Sequence, residues 1–438
     1  MRCLIFIITT KRTLCKVLGK FIRRGGLKAK EPSHTSNPMR ETVLFFSLYA
    51  IIGKAITTGG FFLHFQRVLS LCVLVLLLLT AKAGAAENIQ ITAASAILIE
   101  ASTGRVLYEK AADVPRFPAS TTKMMTCVLA IEEGDLSSIL TVSRTAAETE
   151  DTEVGAGDRF VLAELVAEMM LRSDNGAAVA IAEDLAGSAG SFAAHMNEKA
   201  KAIGAKDTHF VNPNGLPNPA HVSTAHDIAR IAAYGMKNPK FRSFVGAKER
   251  EITWVTPEKK RALMANTNRL LSTYEGATGI KTGYTNAAGG CLAASARRGG
   301  VELIAVVLGA ADEEARFTDA AKLLDMGFRR VKAAPAYTKT DLARRVWVKG
   351  GKEGRLTVYP TEDLRLPLVD GEAEENYRLT YDLPRVIAAG VKEGDRVGDL
   401  VVSHGGKELT RIPLRAEKSV GRGLSIEGLW AYVLGLFA

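Results

Sequence analysis

Three short runs of residues carry the means for acyl transfer through a serine. Ser120-Thr121-Thr122-Lys123, Ser173-Asp174-Asn175 and Lys281-Thr282-Gly283 occur in that order along the chain. Ser120 and Lys123 are three apart, so on a helix their side chains share a face. A serine hydroxyl is a weak nucleophile until a base takes its proton, and a lysine serves as that base once its amine is neutral. Burial and a neighbouring cation favour the neutral amine, and Lys281 is the expected neighbour. Ser173 is suited to pass a proton between Lys123 and a departing amine. Asn175 offers an amide donor and acceptor to a substrate peptide bond. Both are expected on the loop that follows a helix end. Lys281 supplies charge and Thr282 a hydroxyl for a substrate carboxylate. Gly283 lets a substrate backbone come close to the strand. The backbone N–H groups of Ser120 and Tyr284 are candidates for an oxyanion hole. Each run alone is commonplace: a helix start with an exposed lysine, a cap or turn, a strand. Their joint occurrence in this order is what points to a serine ester intermediate.

No metal or cofactor is expected. The histidines form no H-E-x-x-H pattern and the cysteines no C-x-x-C. Cys127 and Cys291 are the two cysteines beyond the leader, and they read as two buried thiols rather than a bridge. The net charge of +10 is misleading, because residues 1–85 hold 13 Lys and Arg against 2 Asp and Glu. The rest of the chain is almost neutral, which leaves a nucleic-acid partner without electrostatic support.

The elements that must position these groups follow from pattern. Residues 94–100 and 105–109 read as a β-hairpin around Ser102-Thr103-Gly104. A helix opens at Pro118-Ala119-Ser120 and runs to Glu133, with proline where its missing N–H costs least. Apolar helices follow at 162–171, 175–186, 191–203 and 226–236. Strands at 279–285, 290–296 and 302–309 and a helix at 312–328 complete the region. The expected fold class is α/β (α+β): one antiparallel sheet built from both ends of the domain, with helices on both faces. From residue 346 short strands alternate with Gly and Asp turns, the mark of a small all-β unit, in which no titratable cluster is expected.

A basic flank at Arg67, the apolar run 68–79 and small residues up to Ala86 make a secretory signal peptide. Residues 1–66 fit no such pattern, and translation is expected to start near residues 64–69. Residues 423–438 carry Ile426, Leu429, Trp430, Val433, Leu434 and Phe437 on one helical face. At ~1.5 Å per residue this helix is shorter than the ~30 Å hydrocarbon core, so it is expected to lie in the membrane interface. The domain reading is therefore 1–66 extension, 67–85 signal peptide, 86–332 catalytic domain, 333–422 β-rich domain and 423–438 amphipathic membrane-anchor helix.

Further stretches surround the three runs: Phe117-Pro118-Ala119 before the serine, Gly176-Ala177-Ala178 after the asparagine, Asn212-Pro213-Asn214-Gly215-Leu216, and Gly279-Ile280 with Tyr284-Thr285. With them the chain resembles the serine D-Ala-D-Ala carboxypeptidases, the low-molecular-mass penicillin-binding proteins, over residues 90–330. The all-β unit, with Gly394-Asp395-Arg396-Val397-Gly398, resembles the C-terminal domain of the same family. This resemblance implies a β-lactamase/transpeptidase-like domain that removes the terminal D-alanine from peptidoglycan stem peptides through an acyl-enzyme on Ser120. Lys123 would be the base, Ser173 the proton relay, and Lys281 with Thr282 the carboxylate holders. It also implies β-lactams as covalent inhibitors, and residence at the outer face of the cytoplasmic membrane. Endopeptidase action on cross-links would use the same site. A class A β-lactamase shares the three runs but needs a deacylating Glu, and no E-x-x-x-N stretch stands between Asn175 and Lys281. A non-catalytic wall scaffold would have no reason to keep all three runs intact.

Overall fold

The structure, a computed structural model, describes residues 89–423 and 425–434. The expected extension and signal peptide, 1–66 and 67–85, lie outside the described residues, as do residues 424 and 435–438 of the tail.

The chain opens with a hairpin, β1 (Ser95–Glu100) and β2 (Val106–Lys110). Two ribbons follow, β3 (Ile139–Thr141) with β4 (Arg159–Val161) and β5 (Glu249–Thr253) with β6 (Arg261–Ala265). The chain then returns to the first sheet as β7 (Ala277–Thr285), β8 (Gly289–Arg298) and β9 (Val301–Ala310). The sheet order is β2-β1-β9-β8-β7, antiparallel throughout, which is the sheet built from both ends of the domain that the sequence implies. Successive side chains of a strand point to opposite faces, and here both faces are buried. Ile97 and Ile99 join one core; Ala96 and Leu98 join the other. The first core is roofed by helices α1 (Lys123–Glu133), α2 (Leu162–Arg172), α3 (Asn175–Ala186) and α4 (Ala225–Met236). The second is closed by α5 (Ala315–Arg330) through Phe317, Ala320, Leu323 and Leu324. A side chain such as Leu98, with no exposure, contributes about 2–5 kcal/mol against truncation to alanine.

The chain continues into a six-stranded sheet with its own core, built on Val346, Val348, Leu356, Val358, Leu400 and Leu414. Five of the six strands fall where the sequence pattern puts them. Val386–Ala388 carries no pattern of its own, being three residues placed only by parallel pairing to Arg344–Lys349. The expectation of no titratable cluster in this unit is corrected. Arg411 pairs with Glu408 and Asp382, and Arg396 with Asp399. These groups satisfy one another at the surface. The two regions are also tied together: Arg105, at the start of the turn into β2, donates to Glu372 (2.5 and 2.7 Å) and to the hydroxyl of Tyr377 (2.6 Å).

Helix α6 (Ile426–Leu434) ends the described chain. Its Gly428 is buried against the backbone of Gly351, while Ile426, Leu429 and Trp430 are 81, 59 and 60% exposed. No described helix is long and apolar enough to cross a membrane. Cys127 and Cys291 are both buried free thiols.

Candidate active site

Ser120 does not sit in the α-helix itself. It lies in a 3-10 turn, Ala119–Thr122, that feeds directly into α1 at Lys123. In that tighter winding residues i and i+3 eclipse, so the serine and lysine still face the same way. The turn is entered through Ala119, which has a left-handed φ of 48°, a conformation that costs an alanine roughly 1–2 kcal/mol. Two glycines hold it. A Cβ on Gly215 would stand 1.9 Å from the Ala119 carbonyl oxygen, and one on Gly283 would stand 2.8 Å from the Ser120 nitrogen. The bare backbone of Gly283 also makes room for the nucleophile's own turn, packed against β7.

Lys123 is fully buried. Its Nζ lies 2.8 Å from Ser120 Oγ, 2.6 Å from Asn175 Oδ1 and 2.8 Å from the Asn214 carbonyl oxygen. The Asn175 Nδ2 donates to the Glu150 carbonyl (2.8 Å), which turns the amide oxygen toward the lysine. A neutral amine has two N–H bonds and one lone pair. With the N–H bonds given to Asn175 and Asn214, the lone pair faces the serine hydroxyl. Burial lowers Lys123 to about 7, against the carboxylates of Asp174 and Asp151, which raise it.

Asn175 is the first residue of α3, at the start expected for the helix over 175–186 rather than on the loop expected with Ser173. The reason is its neighbour: the Asp174 side chain accepts from the Ala177 N–H (2.7 Å) and caps the helix. Ser173 is the left-handed residue that ends α2, with φ 69° and ψ 26°. It is half-buried, and its hydroxyl has no hydrogen-bond partner among the described residues.

Lys281 and Thr282 lie buried on β7, at the free edge of the sheet, and Tyr284 follows at 43% exposure. Lys281 Nζ donates to the Thr282 carbonyl at 3.1 Å, and no described carboxylate pairs with it. Burial pushes Lys281 well below its ordinary value, helped by the charges of Lys123 and Arg316. The influence thus runs opposite to the expected one. Lys123 has Asp174 and Asp151 to offset its charge; Lys281 has no such offset. Thr282 Oγ1 is 2.7 Å from Thr267 Oγ1. Next to the strand, Arg316 is buried and donates to the Gly283 carbonyl (2.8 Å) and to Glu313 (2.9 Å), while its Nε has no partner.

The structure therefore joins Ser120, Lys123 and Asn175 by direct bonds and Gly283 by packing, with Lys281 coupled to Lys123 by charge. Four contributors escaped the reading of single residues: the carbonyls of Asn214 and Glu150, Thr267, and Arg316. Asn214 lay in a quoted stretch; the others sit in ordinary turn and helix sequence. Among the described residues no group of three or more His, Cys, Asp or Glu is placed to hold a metal ion.

A serine whose hydroxyl faces a buried, near-neutral lysine, with a second buried lysine on the strand edge beside it, defines a serine acyl-enzyme hydrolase of the penicillin-binding type. The family described as D-alanyl-D-alanine carboxypeptidase matches residues 81–312, and the C-terminal domain of penicillin-binding protein 5 matches residues 334–422. The chain belongs to this D-alanyl-D-alanine carboxypeptidase family. It is 33% identical to the carboxypeptidase DacF of Bacillus subtilis over 75% of this chain and 86% of that one. It is 31% identical to DacC of Escherichia coli over 78% and 87%. Among solved structures, penicillin binding protein 5 from Haemophilus influenzae superposes with a TM-score of 0.57 at 25% identity, covering 77% of this chain and all of that one. DacD from Francisella tularensis gives 0.55 at 27%, covering 77% and 95%.

Proposed function

We propose that the chain is a serine D-alanyl-D-alanine carboxypeptidase acting on peptidoglycan stem peptides. The observation that carries this reading is the bonding of Lys123 Nζ, which leaves its lone pair directed at Ser120 Oγ at 2.8 Å. Ser120 attacks the carbonyl carbon between two terminal D-alanines, and its proton passes to Lys123. The N–H groups of Ser120 and Tyr284 meet the developing oxyanion. The C–N bond then breaks, and the proton held by Lys123 reaches the departing amine through Ser173, whose hydroxyl has no other partner. Asn175 holds the peptide on the acyl side. Lys281, Thr282 and Arg316 receive the terminal carboxylate, whose charge would restore the ammonium that burial disfavours on Lys281. Water, deprotonated by Lys123, then cleaves the ester. A β-lactam enters by the same first step and stays bound.

The test is direct. Purified protein with a diacylated peptide ending in D-Ala-D-Ala should release one equivalent of D-alanine, and fluorescent penicillin should label it stably. Ser120→Ala should lose both, by about 10³-fold or more in rate. Labelling that survives Ser120→Ala would remove the assignment. Rapid penicillin turnover would mark a lactamase, cleavage of cross-linked dimers an endopeptidase, and absence of labelling a scaffold.

We assign residues 86–332 to catalysis, 333–422 to the β-rich domain, and 67–85 to an export signal, which places the protein on the outer face of the cytoplasmic membrane. The helix from residue 423 would hold it there, and the apolar face of α6 left exposed by Ile426, Leu429 and Trp430 supports that reading.

A further inference from the structure

The hydroxyl of Thr282 has a partner outside the three motifs. Thr267 stands in a turn whose conformation is fixed from both sides: Asn266 donates from its backbone to Lys248 (2.8 Å) and from its side chain to Ala247 (2.9 Å), and it accepts from the Asn268 N–H (2.8 Å). Thr267 itself donates its N–H to the Leu171 carbonyl at 3.0 Å, two residues before Ser173. Its side-chain oxygen lies 2.7 Å from Thr282 Oγ1. One residue therefore links the end of α2, just ahead of the second motif, to the third motif.

The hydrogen count of this pair is informative. Two hydroxyls carry two hydrogens, and their mutual bond uses one. Neither oxygen has another partner among the described residues, so one O–H hydrogen has no acceptor. If Thr282 donates to Thr267, the unclaimed hydrogen is on Thr267. If Thr267 donates to Thr282, it is on Thr282, beside Lys281 and Arg316, where an anion would be received. Donation to an ionised acceptor is worth roughly twice a neutral bond, so a carboxylate arriving there selects the second arrangement.

We propose that Thr267 is a positioning residue for specificity: by donating to Thr282 Oγ1 it fixes the Thr282 hydroxyl and turns its hydrogen toward the terminal carboxylate of the substrate. This rests on the carboxypeptidase reading above. Thr267 acts through Thr282, so its effect is confined to substrates with a free carboxylate. Replacing it by valine keeps its shape and removes the donor.

The experiment compares release of the terminal residue from a diacylated D-Ala-D-Ala peptide and from its uncharged C-terminal amide, for wild type, Thr267→Val, Thr267→Ala and Thr267→Ser, with melting temperatures alongside. The ratio of kcat/KM for acid over amide should fall about tenfold in Thr267→Val and Thr267→Ala, chiefly through KM. Thr267→Ser should restore it. An unchanged ratio, or equal losses on both substrates, overturns the proposal. If Thr267→Val does not fold, the alanine and serine variants decide by the same ratio. Wild-type protein that releases no D-alanine from the free acid would instead defeat the underlying carboxypeptidase reading.

Discussion

At the scale of single residues, the chemistry turns on the protonation of Lys123. Its folded value of about 7, held down by burial, means that the neutral base accumulates as pH rises. The rate of acylation by penicillin should therefore climb about tenfold per pH unit below 7 and level off above it. Stopped-flow labelling across pH 5–9 checks this, and a flat profile would show that another group is the base. The same shift bears on stability. Between about 7 and 10.5 the unfolded lysine binds a proton that the folded one lacks, so this residue's contribution to stability rises with pH across that window. The identity of the base was legible from its spacing to Ser120. Its environment was not, because the oxygens that complete it include a backbone carbonyl of Asn214, and a carbonyl has no signature in sequence. The influence of Lys281 was illegible for a related reason: burial lowers both lysines, and Asp174 and Asp151, which act against it, stand on the side of Lys123.

At the scale of elements, α2 holds an anomaly. Glu168 has no exposure, and neither carboxylate oxygen has a partner. Burial raises it to about 8, with the charges of Asp174 and Glu153 adding to the shift. An acid whose folded value is raised binds a proton that the unfolded chain has released, so stability falls as pH rises from about 4.5 to about 8. Glu168→Met should remove that loss and raise stability by on the order of 2 kcal/mol at pH 8, with a smaller gain at pH 5. Thermal melts at the two pH values measure it, and a variant that is less stable at pH 8 contradicts the argument. Most strands and helices were legible from alternation and from glycine or proline boundaries. The 3-10 turn was not, since it depends on two glycines from distant segments pressing on Ala119. The helix beginning at Asn175 was legible from its apolar run, while the capping role of Asp174 was not separable from a turn.

At the scale of the molecule, the chain ends in a short helix whose apolar side chains are exposed. Deleting residues 423–438 should shift the mature protein from vesicles to the supernatant in a sedimentation assay while leaving penicillin labelling intact. Equal vesicle binding by the truncated chain would show that the tail packs on protein instead. The amphipathic spacing of this helix was plain in sequence. That its small face, through Gly428, docks on Gly351 and leaves the apolar face outward required the coordinates.

The central sheet has one more consequence, concerning the order of events during synthesis. β1 pairs with β9, with Ser95 opposite Leu308, so the first strand of this sheet waits for its last. Closing so long an intervening chain is slow, and no growing polypeptide that stops short of Ala310 holds a finished sheet. Until β9 joins, the edge strand β7 that the nucleophile's turn packs against has no finished sheet behind it, so catalytic competence comes only late in synthesis.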